Sequence, residues 1–145
     1  MNRCAVDSNV ILRFLTGEPA HLAAQASLLF EAVDRGELAL VVDPIVIAEV
    51  VWVLQSFYRY RHGQITRVLQ ELVSHPGLET EDKAGLLLAL HLYAEKHIDF
   101  IDALVAVRMK RQGLLKVYSF DRRFDRLPGI TRLIPGQDEP AQPSP

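Results

Sequence analysis

The sequence predicts an α/β fold in which helices flank a parallel sheet. Short β-rich runs at residues 3–6, 38–42, 116–119 and 130–134 are separated by helical stretches. Strands that alternate with helices in this way are typical of parallel sheets. The first run is predicted as a short buried strand, and the second is apolar and continuous enough to be a strand buried on both faces. At 145 residues, the chain is long enough for one domain with a sizeable core.

The helices are predicted from apolar residues that recur three and four positions apart. They cover residues 10–15, 20–35, 44–59, 64–74, 81–96 and 99–112, with a helical turn at 122–124. Asp43 and Pro44 suit the N-cap and first position of the helix at 44–59. That helix is almost wholly apolar apart from Glu49, and a helix apolar all round must be covered all round. We therefore expect a homodimer or a partner protein to cover it.

Composition and charge exclude several classes of protein. The net charge of −2 gives no general basic surface, so nucleic acid would need a local basic patch or bound cations. We find no apolar run long enough for a membrane span and no signal-peptide pattern. The single cysteine, Cys4, excludes an internal disulfide and indicates a reducing compartment, so we expect a cytoplasmic protein without membrane attachment. Residues 135–145 are polar and rich in proline, which is typical of a disordered tail.

Several carboxylates occupy positions that suggest a shared site. Asp7 directly follows the first predicted strand and Asp121 follows the strand at 116–119, so both are expected at the sheet edge where ligands bind. Glu49 shares its helix face with apolar residues only, while Asp99 and Asp102 share one face at the start of a later helix.

Each aspartate also has a structural interpretation. Asp7, Asp99 and Asp121 could cap the helices or turns that they precede, and Asp102 would be favoured by the helix dipole. Together, however, so many like charges would need cations to remain ionised. Oxygen ligands suit Mg²⁺ or Mn²⁺, and sites of this kind hydrolyse phosphodiester bonds with a metal-oriented water.

Four segments, in this order, resemble the signature segments of PIN-domain ribonucleases, specifically the VapC-type toxins of bacterial toxin–antitoxin pairs. They are AVDSNVILRFL, IAEVVWVL, IDFIDALVAV and VYSFDRRFDRLPGI. The resemblance runs from about residue 3 to residue 134. It implies a PIN domain over residues 1–134, built as a three-layer α/β/α sandwich around a mostly parallel sheet of about five strands.

The resemblance further implies that the acidic residues form one metal-dependent site for Mg²⁺ or Mn²⁺. The residues implied in catalysis are Asp7, Glu49, Asp102 and Asp121. Those implied as metal ligands are Asp7, Asp99, Asp102 and Asp121. Asn9 stands at the family's D-x-N position and Ser119 where threonine or serine is usual, so both are expected to support the site.

The implied activity is endonucleolytic cleavage of RNA. The implied partners are a second copy of the chain and a cognate antitoxin whose C-terminal segment blocks the site. RNA would need basic contacts, for which the candidates are Arg13, Arg59, Arg61, Arg108, Arg122 and Arg123. The histidines His62, His91 and His97 show no ligand spacing and are expected to be core or surface residues.

Three other interpretations compete with this one. A haloacid-dehalogenase-like phosphatase needs a second aspartate two residues after the first, where this chain has Asn9. A phosphoacceptor receiver domain could use Asp43, but Pro44 follows it directly and no late Lys-Pro element exists. The third is a PIN-like module that binds RNA or protein without catalysis, and the complete acidic set counts against it.

Overall fold

Five strands and six α-helices alternate along residues 2–138, the part of the chain that the computed structural model describes. The strands are β1 (Asn2–Ala5), β2 (Leu38–Val41), β3 (Leu78–Glu79), β4 (Lys116–Tyr118) and β5 (Thr131–Leu133). The helices are α1 (Ser8–Thr16), α2 (Ala20–Asp34), α3 (Pro44–Ser56), α4 (His62–Val73), α5 (Lys83–Lys96) and α6 (Phe100–Arg111). A short 3₁₀ helix covers Arg122–Arg126.

The strands pair in parallel, which confirms the predicted α/β class. β2 lies between β1 and β3, with Ala5 opposite Val41 and Leu40 opposite Leu78. β4 pairs with β5 in a second, two-stranded sheet. Within residues 2–138, no hydrogen-bonded ladder joins the two sheets, so the sheet of about five strands implied by the resemblance is divided into one of three strands and one of two.

β1 is more exposed than the sequence predicts. All four of its residues are exposed, and β1 is the outer strand of its sheet with a paired neighbour on one side only. The prediction of a buried strand is therefore wrong for residues 2–5. The burial predicted for the second run agrees better with β2, whose central residues Ala39 and Leu40 are buried.

Helix α3 buries one side and exposes the other. Ile47, Val50 and Leu54 are fully buried in the core. On the opposite side, Ile45 is 70% exposed and Trp52 is 67% exposed. These two residues and Glu49, which is also exposed and lies between them on the helix, form what we call the α3 stripe. The chain by itself therefore does not provide the cover that the sequence predicts for this helix.

The end of the described chain folds back after β5. Residues 135–138 form a turn in which the backbone N–H of Ile134 donates to Asp138 Oδ2 at 2.6 Å. The rest of the tail predicted as disordered, residues 139–145, lies outside the described residues. In the described part, no helix is both long enough and apolar enough to cross a membrane.

Candidate active site

Asp7 and Asp43 mark the carboxyl edge of the three-stranded sheet. Each lies two residues beyond the last paired residue of its strand, and each caps the helix that follows. Asp7 Oδ1 accepts a hydrogen bond from the backbone N–H of Ser8 at 2.8 Å. The capping interpretation of Asp7 is therefore confirmed. The cap uses Oδ1 of Asp7 and leaves Oδ2 without a hydrogen bond among residues 2–138.

Three carboxylates, Asp99, Asp102 and Asp121, meet between the start of α6 and the residues that follow β4. Asp102 is half-buried, and its burial raises the pKa of its carboxyl. The negative charges of Asp99 and Asp121 raise this pKa further, while Arg123 opposes them. Asp99 and Asp121 are also joined through Arg123, so the three acids share one electrostatic neighbourhood.

Arg123 lies between two of these three acids. Its Nη1 is 3.4 Å from Asp99 Oδ1, and its Nε is 3.2 Å from Asp121 Oδ1. Its backbone N–H also donates to Asp121 Oδ1 at 2.9 Å. This backbone bond, followed by the side-chain bond, lowers the pKa of Asp121. The cluster thus already contains one positive charge from the chain itself.

The capping interpretation succeeds for Asp121 and fails for the Asp99 side chain. Asp121 precedes the 3₁₀ helix and accepts the hydrogen bond from the backbone of Arg123 described above. Asp99 is the N-cap residue of α6 by position, yet its side chain makes no capping hydrogen bond. Its carboxylate pairs with Arg123 instead.

The two residues predicted to support the site differ in what they contact. Ser119 Oγ accepts a hydrogen bond from the backbone N–H of Asp121 at 2.9 Å, which fixes the turn that carries this acid. Asn9 is exposed in the first turn of α1. Across residues 2–138, no hydrogen bond joins its side chain to Asp7. The prediction that Asn9 supports Asp7 therefore has no direct contact in its favour.

Among residues 2–138, no hydrogen bond or ion pair connects Glu49 to Asp99, Asp102 or Asp121. The side chain of Glu49 is exposed within the α3 stripe, so the semi-buried position expected from its apolar neighbours is wrong. The reason is that α3 turns this face away from the core. The charges that shift the pKa of Asp102 belong to Asp99, Asp121 and Arg123, and do not include Glu49 or Asp7.

Basic residues are unevenly distributed around the cluster. Of the six predicted RNA contacts, Arg123 pairs with the acids and Arg122 is exposed beside it. No contact in the described chain joins the other four to these acids: Arg13, Arg59, Arg61 and Arg108. Arg126 was not among the predicted residues. Its positive charge helps to lower the pKa of Asp121, and its Nη1 donates a hydrogen bond to the carbonyl of His97 at 2.7 Å. Its place in the arginine-rich run RRFDR could have indicated it.

His62 and His97 pack near Asp99 without forming a ligand set. The His62 ring stacks on Tyr93 at 4.2 Å and lies 5.8 Å from the His97 ring, measured between centroids. Burial lowers the pKa of His62, the charge of His97 lowers it further, and Asp99 opposes both. This agrees with their prediction as core or surface residues, although the sequence did not indicate that His62 lies near Asp99.

The donor chemistry of the cluster fits Mg²⁺ or Mn²⁺, because all of its side-chain donors are carboxylate oxygens. Within residues 2–138, however, no three acidic, histidine or cysteine side chains are arranged around one ion position. Two of the acids are paired with Arg123, and Asp7 Oδ1 is held by the backbone of Ser8. A metal bound to the same oxygens would therefore require the Arg123 side chain to separate from Asp99 and Asp121.

Comparison with known proteins identifies the family of the chain. The profile of a family described as the PIN domain matches residues 4–130. A VapC ribonuclease from Aquifex aeolicus (strain VF5) is 30% identical over 122 residues, which span 84% of this chain and 90% of that protein. The chain therefore belongs to the PIN-domain family, with a VapC ribonuclease among its relatives.

Proposed function

We propose that the chain is a metal-dependent endoribonuclease and the toxin of a bacterial toxin–antitoxin pair. The observation that carries this proposal is the meeting of Asp99, Asp102 and Asp121 in a PIN-domain chain. The similarity to a VapC ribonuclease supports RNA as the substrate. The phosphatase and receiver-domain alternatives are not retained, because the chain belongs to the PIN-domain family.

In the proposed mechanism, Asp7 and Asp102, together with Asp121 or Asp99, would hold one or two Mg²⁺ or Mn²⁺ ions. When bound, such ions activate water and stabilise the charge of the displacement. Glu49 completes the ligand set or orients the attacking water. The water oxygen bonds to phosphorus in line as the bond to the 3′ oxygen breaks, which leaves a 5′-phosphate and a 3′-hydroxyl. Protons lost by the water pass to a carboxylate or to solvent, and the leaving oxygen takes one up.

Cleavage of structured RNA by the purified chain tests this function. We expect cleavage with Mg²⁺ or Mn²⁺, its loss in excess EDTA, and its return when Mn²⁺ is restored, because carboxylates cannot activate water without the ion. Product ends are identified by their labelling with kinase before and after phosphatase treatment.

A matched control for this assay is Asp34→Asn. Asp34 ends α2 before β2 begins, at the opposite edge of the sheet, and pairs with His75. The substitution Asp34→Asn should therefore leave the rate of RNA cleavage unchanged. EDTA-resistant cleavage would contradict the metal requirement. If the chain is inert on several RNAs with either ion, the non-catalytic binding module replaces the enzyme. The ion pairs of Arg123 are the observation that favours this second candidate.

We also propose that a second copy of the chain covers the apolar residues of the α3 stripe, Ile45 and Trp52, and leaves Glu49 at the border of the interface. Ile45 and Trp52 present a large apolar surface to solvent, and Phe57, directly after α3, is 74% exposed. Aromatic side chains in such positions are enriched at protein interfaces, where a tryptophan often contributes much of the binding energy. A homodimer would bury this surface twice by symmetry.

Substitution of Trp52 by lysine tests the dimer. We expect the wild-type chain to have twice the monomer mass in light scattering coupled to size exclusion, and Trp52→Lys to weaken dimerisation by about 30-fold or more. Leu28→Lys on α2 is the control, since Leu28 is 65% exposed and lies outside the stripe. If Trp52→Lys remains dimeric, or if the wild type is a monomer at 100 µM, the stripe is not a dimer interface.

A cognate antitoxin is the second proposed partner, as the resemblance to VapC-type toxins implies. Its C-terminal segment would block access to the carboxylates. A cytoplasmic location also stays a prediction, supported by the free and exposed thiol of Cys4, which a reducing compartment preserves.

A further inference from the structure

The position of Arg123 between two acids of the site has a consequence for metal binding. We propose that the Arg123 guanidinium is an internal counter-cation that competes with the divalent metal for Asp99 and Asp121. It therefore weakens metal binding and must leave these carboxylates when the ion enters. This inference rests on the proposed function only in taking the carboxylates as the metal site.

The geometry of Arg123 explains why it can both fill the site and leave it. Its Nε and Nη1 contact two different carboxylates, so one side chain balances charge from both. These contacts measure 3.2 and 3.4 Å, longer than the 2.7–2.9 Å typical of strong charge-assisted bonds. The side chains of Arg123 and Asp99 are 44% and 58% exposed. Long, exposed ion pairs of this kind contribute little stability and exchange readily.

The turn that carries Asp121 does not depend on the guanidinium. The backbone N–H of Arg123 donates to Asp121 Oδ1 at 2.9 Å, and Ser119 Oγ accepts from the backbone of Asp121 at 2.9 Å. These two bonds can remain when the Arg123 side chain swings out. Asp121 would then keep its place while the side of Oδ1 that the guanidinium contacts becomes available to an ion, next to Oδ2, which accepts no hydrogen bond among residues 2–138.

The remaining charges in the cluster favour replacement by a divalent ion. Arg123 carries one positive charge, while the two carboxylates that it contacts, Asp99 and Asp121, carry two negative charges. A divalent ion supplies twice the charge and coordinates the oxygens directly. Arg126 is not available for the same role, because its Nη1 is held by the carbonyl of His97.

Mn²⁺ binding to the full chain without RNA, measured by calorimetry and by electron paramagnetic resonance, tests the inference. We expect Arg123→Gln to bind Mn²⁺ about three- to tenfold more tightly than the wild type, because it removes a competing charge close to the ligands. Arg122→Gln is the matched control: it removes the same charge one residue away, where no described contact reaches the acids, and should change the affinity less than twofold. Arg123→Lys, which keeps the charge, should stay close to the wild type.

Equal or weaker Mn²⁺ binding by Arg123→Gln, or an equal gain in Arg122→Gln, would overturn the inference. A second measurement covers the case in which Arg123→Gln does not fold. In the wild-type chain, the Nε–H resonance of Arg123 should shift on addition of Mg²⁺, while that of Arg35, which pairs with Glu37, should not. If the Arg123 resonance does not shift at saturating Mg²⁺, the inference is also overturned.

Failure of the inference is distinguishable from failure of the proposed function. If Arg123→Gln binds Mn²⁺ more tightly but the wild type cleaves no RNA, Arg123 competes with the metal in a chain that is not a ribonuclease. If the wild type cleaves RNA with Mn²⁺ but Arg123→Gln gains no affinity for Mn²⁺, the proposed ribonuclease function is supported and the competition between Arg123 and the metal is refuted.

Discussion

Asp7→Asn is expected to reduce metal-dependent RNA cleavage by at least about 100-fold while the chain remains folded. The proposed metal site loses a charged ligand, and the amide that replaces it is a much weaker one. The fold should survive because asparagine is as good an N-cap as aspartate, so the bond from the backbone of Ser8 to the side chain is kept. Cleavage rates and thermal unfolding of both proteins measure the two effects.

Asp7→Ala separates the cap from the proposed catalytic role. Alanine removes the cap as well as the ligand, so we expect the same loss of cleavage and a decrease of about 1 kcal/mol in the free energy of unfolding. If Asp7→Asn unfolds the chain, or cleaves RNA like the wild type, Asp7 acts through the structure of α1 and is not a metal ligand.

Asp102→Asn is expected to abolish cleavage and to stabilise the chain at neutral pH. Asp102 is half-buried beside Asp99 and Asp121, which raises the pKa of its carboxyl in the folded state. The folded chain therefore binds this proton more tightly than the unfolded chain, and the wild type loses stability as the pH rises through the folded pKa. Asparagine carries no charge and avoids that loss. We expect at least a 100-fold decrease in cleavage and a melting temperature about 2–4 °C higher at pH 7.

The pH dependence of melting, measured without metal, distinguishes this effect from a general gain in packing. The stabilisation by Asp102→Asn should diminish at acid pH, where the wild-type carboxyl is protonated. Asp121→Asn is a matched contrast of opposite sign, because hydrogen bonds from Arg123 lower the pKa of Asp121. Its substitution should lower the melting temperature at pH 7, and this loss should also diminish in acid. A gain for Asp102→Asn that is equal at pH 4 and pH 7 would contradict the electrostatic explanation.

Much of the fold was predictable because local patterns determine it. The helix starts at Asp7 and Asp43 follow from capping chemistry, and the positions of these residues after parallel strands place both at one sheet edge. The strand β3 was not predicted, because two residues carry no periodic pattern and only their pairing with β2 defines them. The separation of the strands into two sheets likewise depends on tertiary contacts.

The candidate site was predictable in part for related reasons. Asp99 and Asp102 are three residues apart on one helix, so their proximity is fixed by helix geometry. The exposure of Glu49 was harder to predict, since apolar residues on every face of α3 do not indicate which face is buried. The bridging position of Arg123 was beyond sequence reasoning, because it depends on where the start of α6 lies relative to the turn after β4.

The helices that begin at the candidate site suggest how an acidic protein could receive a polyanion. Residues 8, 44 and 100 start α1, α3 and α6 directly after Asp7, Asp43 and Asp99. The N-terminus of a helix carries about half a positive charge from its aligned peptide dipoles. Partial charges of this kind belong to the backbone and cannot be titrated or removed by substitution. At these three helix starts they would partly offset the chain's net charge of −2, so that a phosphate of the proposed RNA substrate would meet more favourable electrostatics there than a count of side chains suggests.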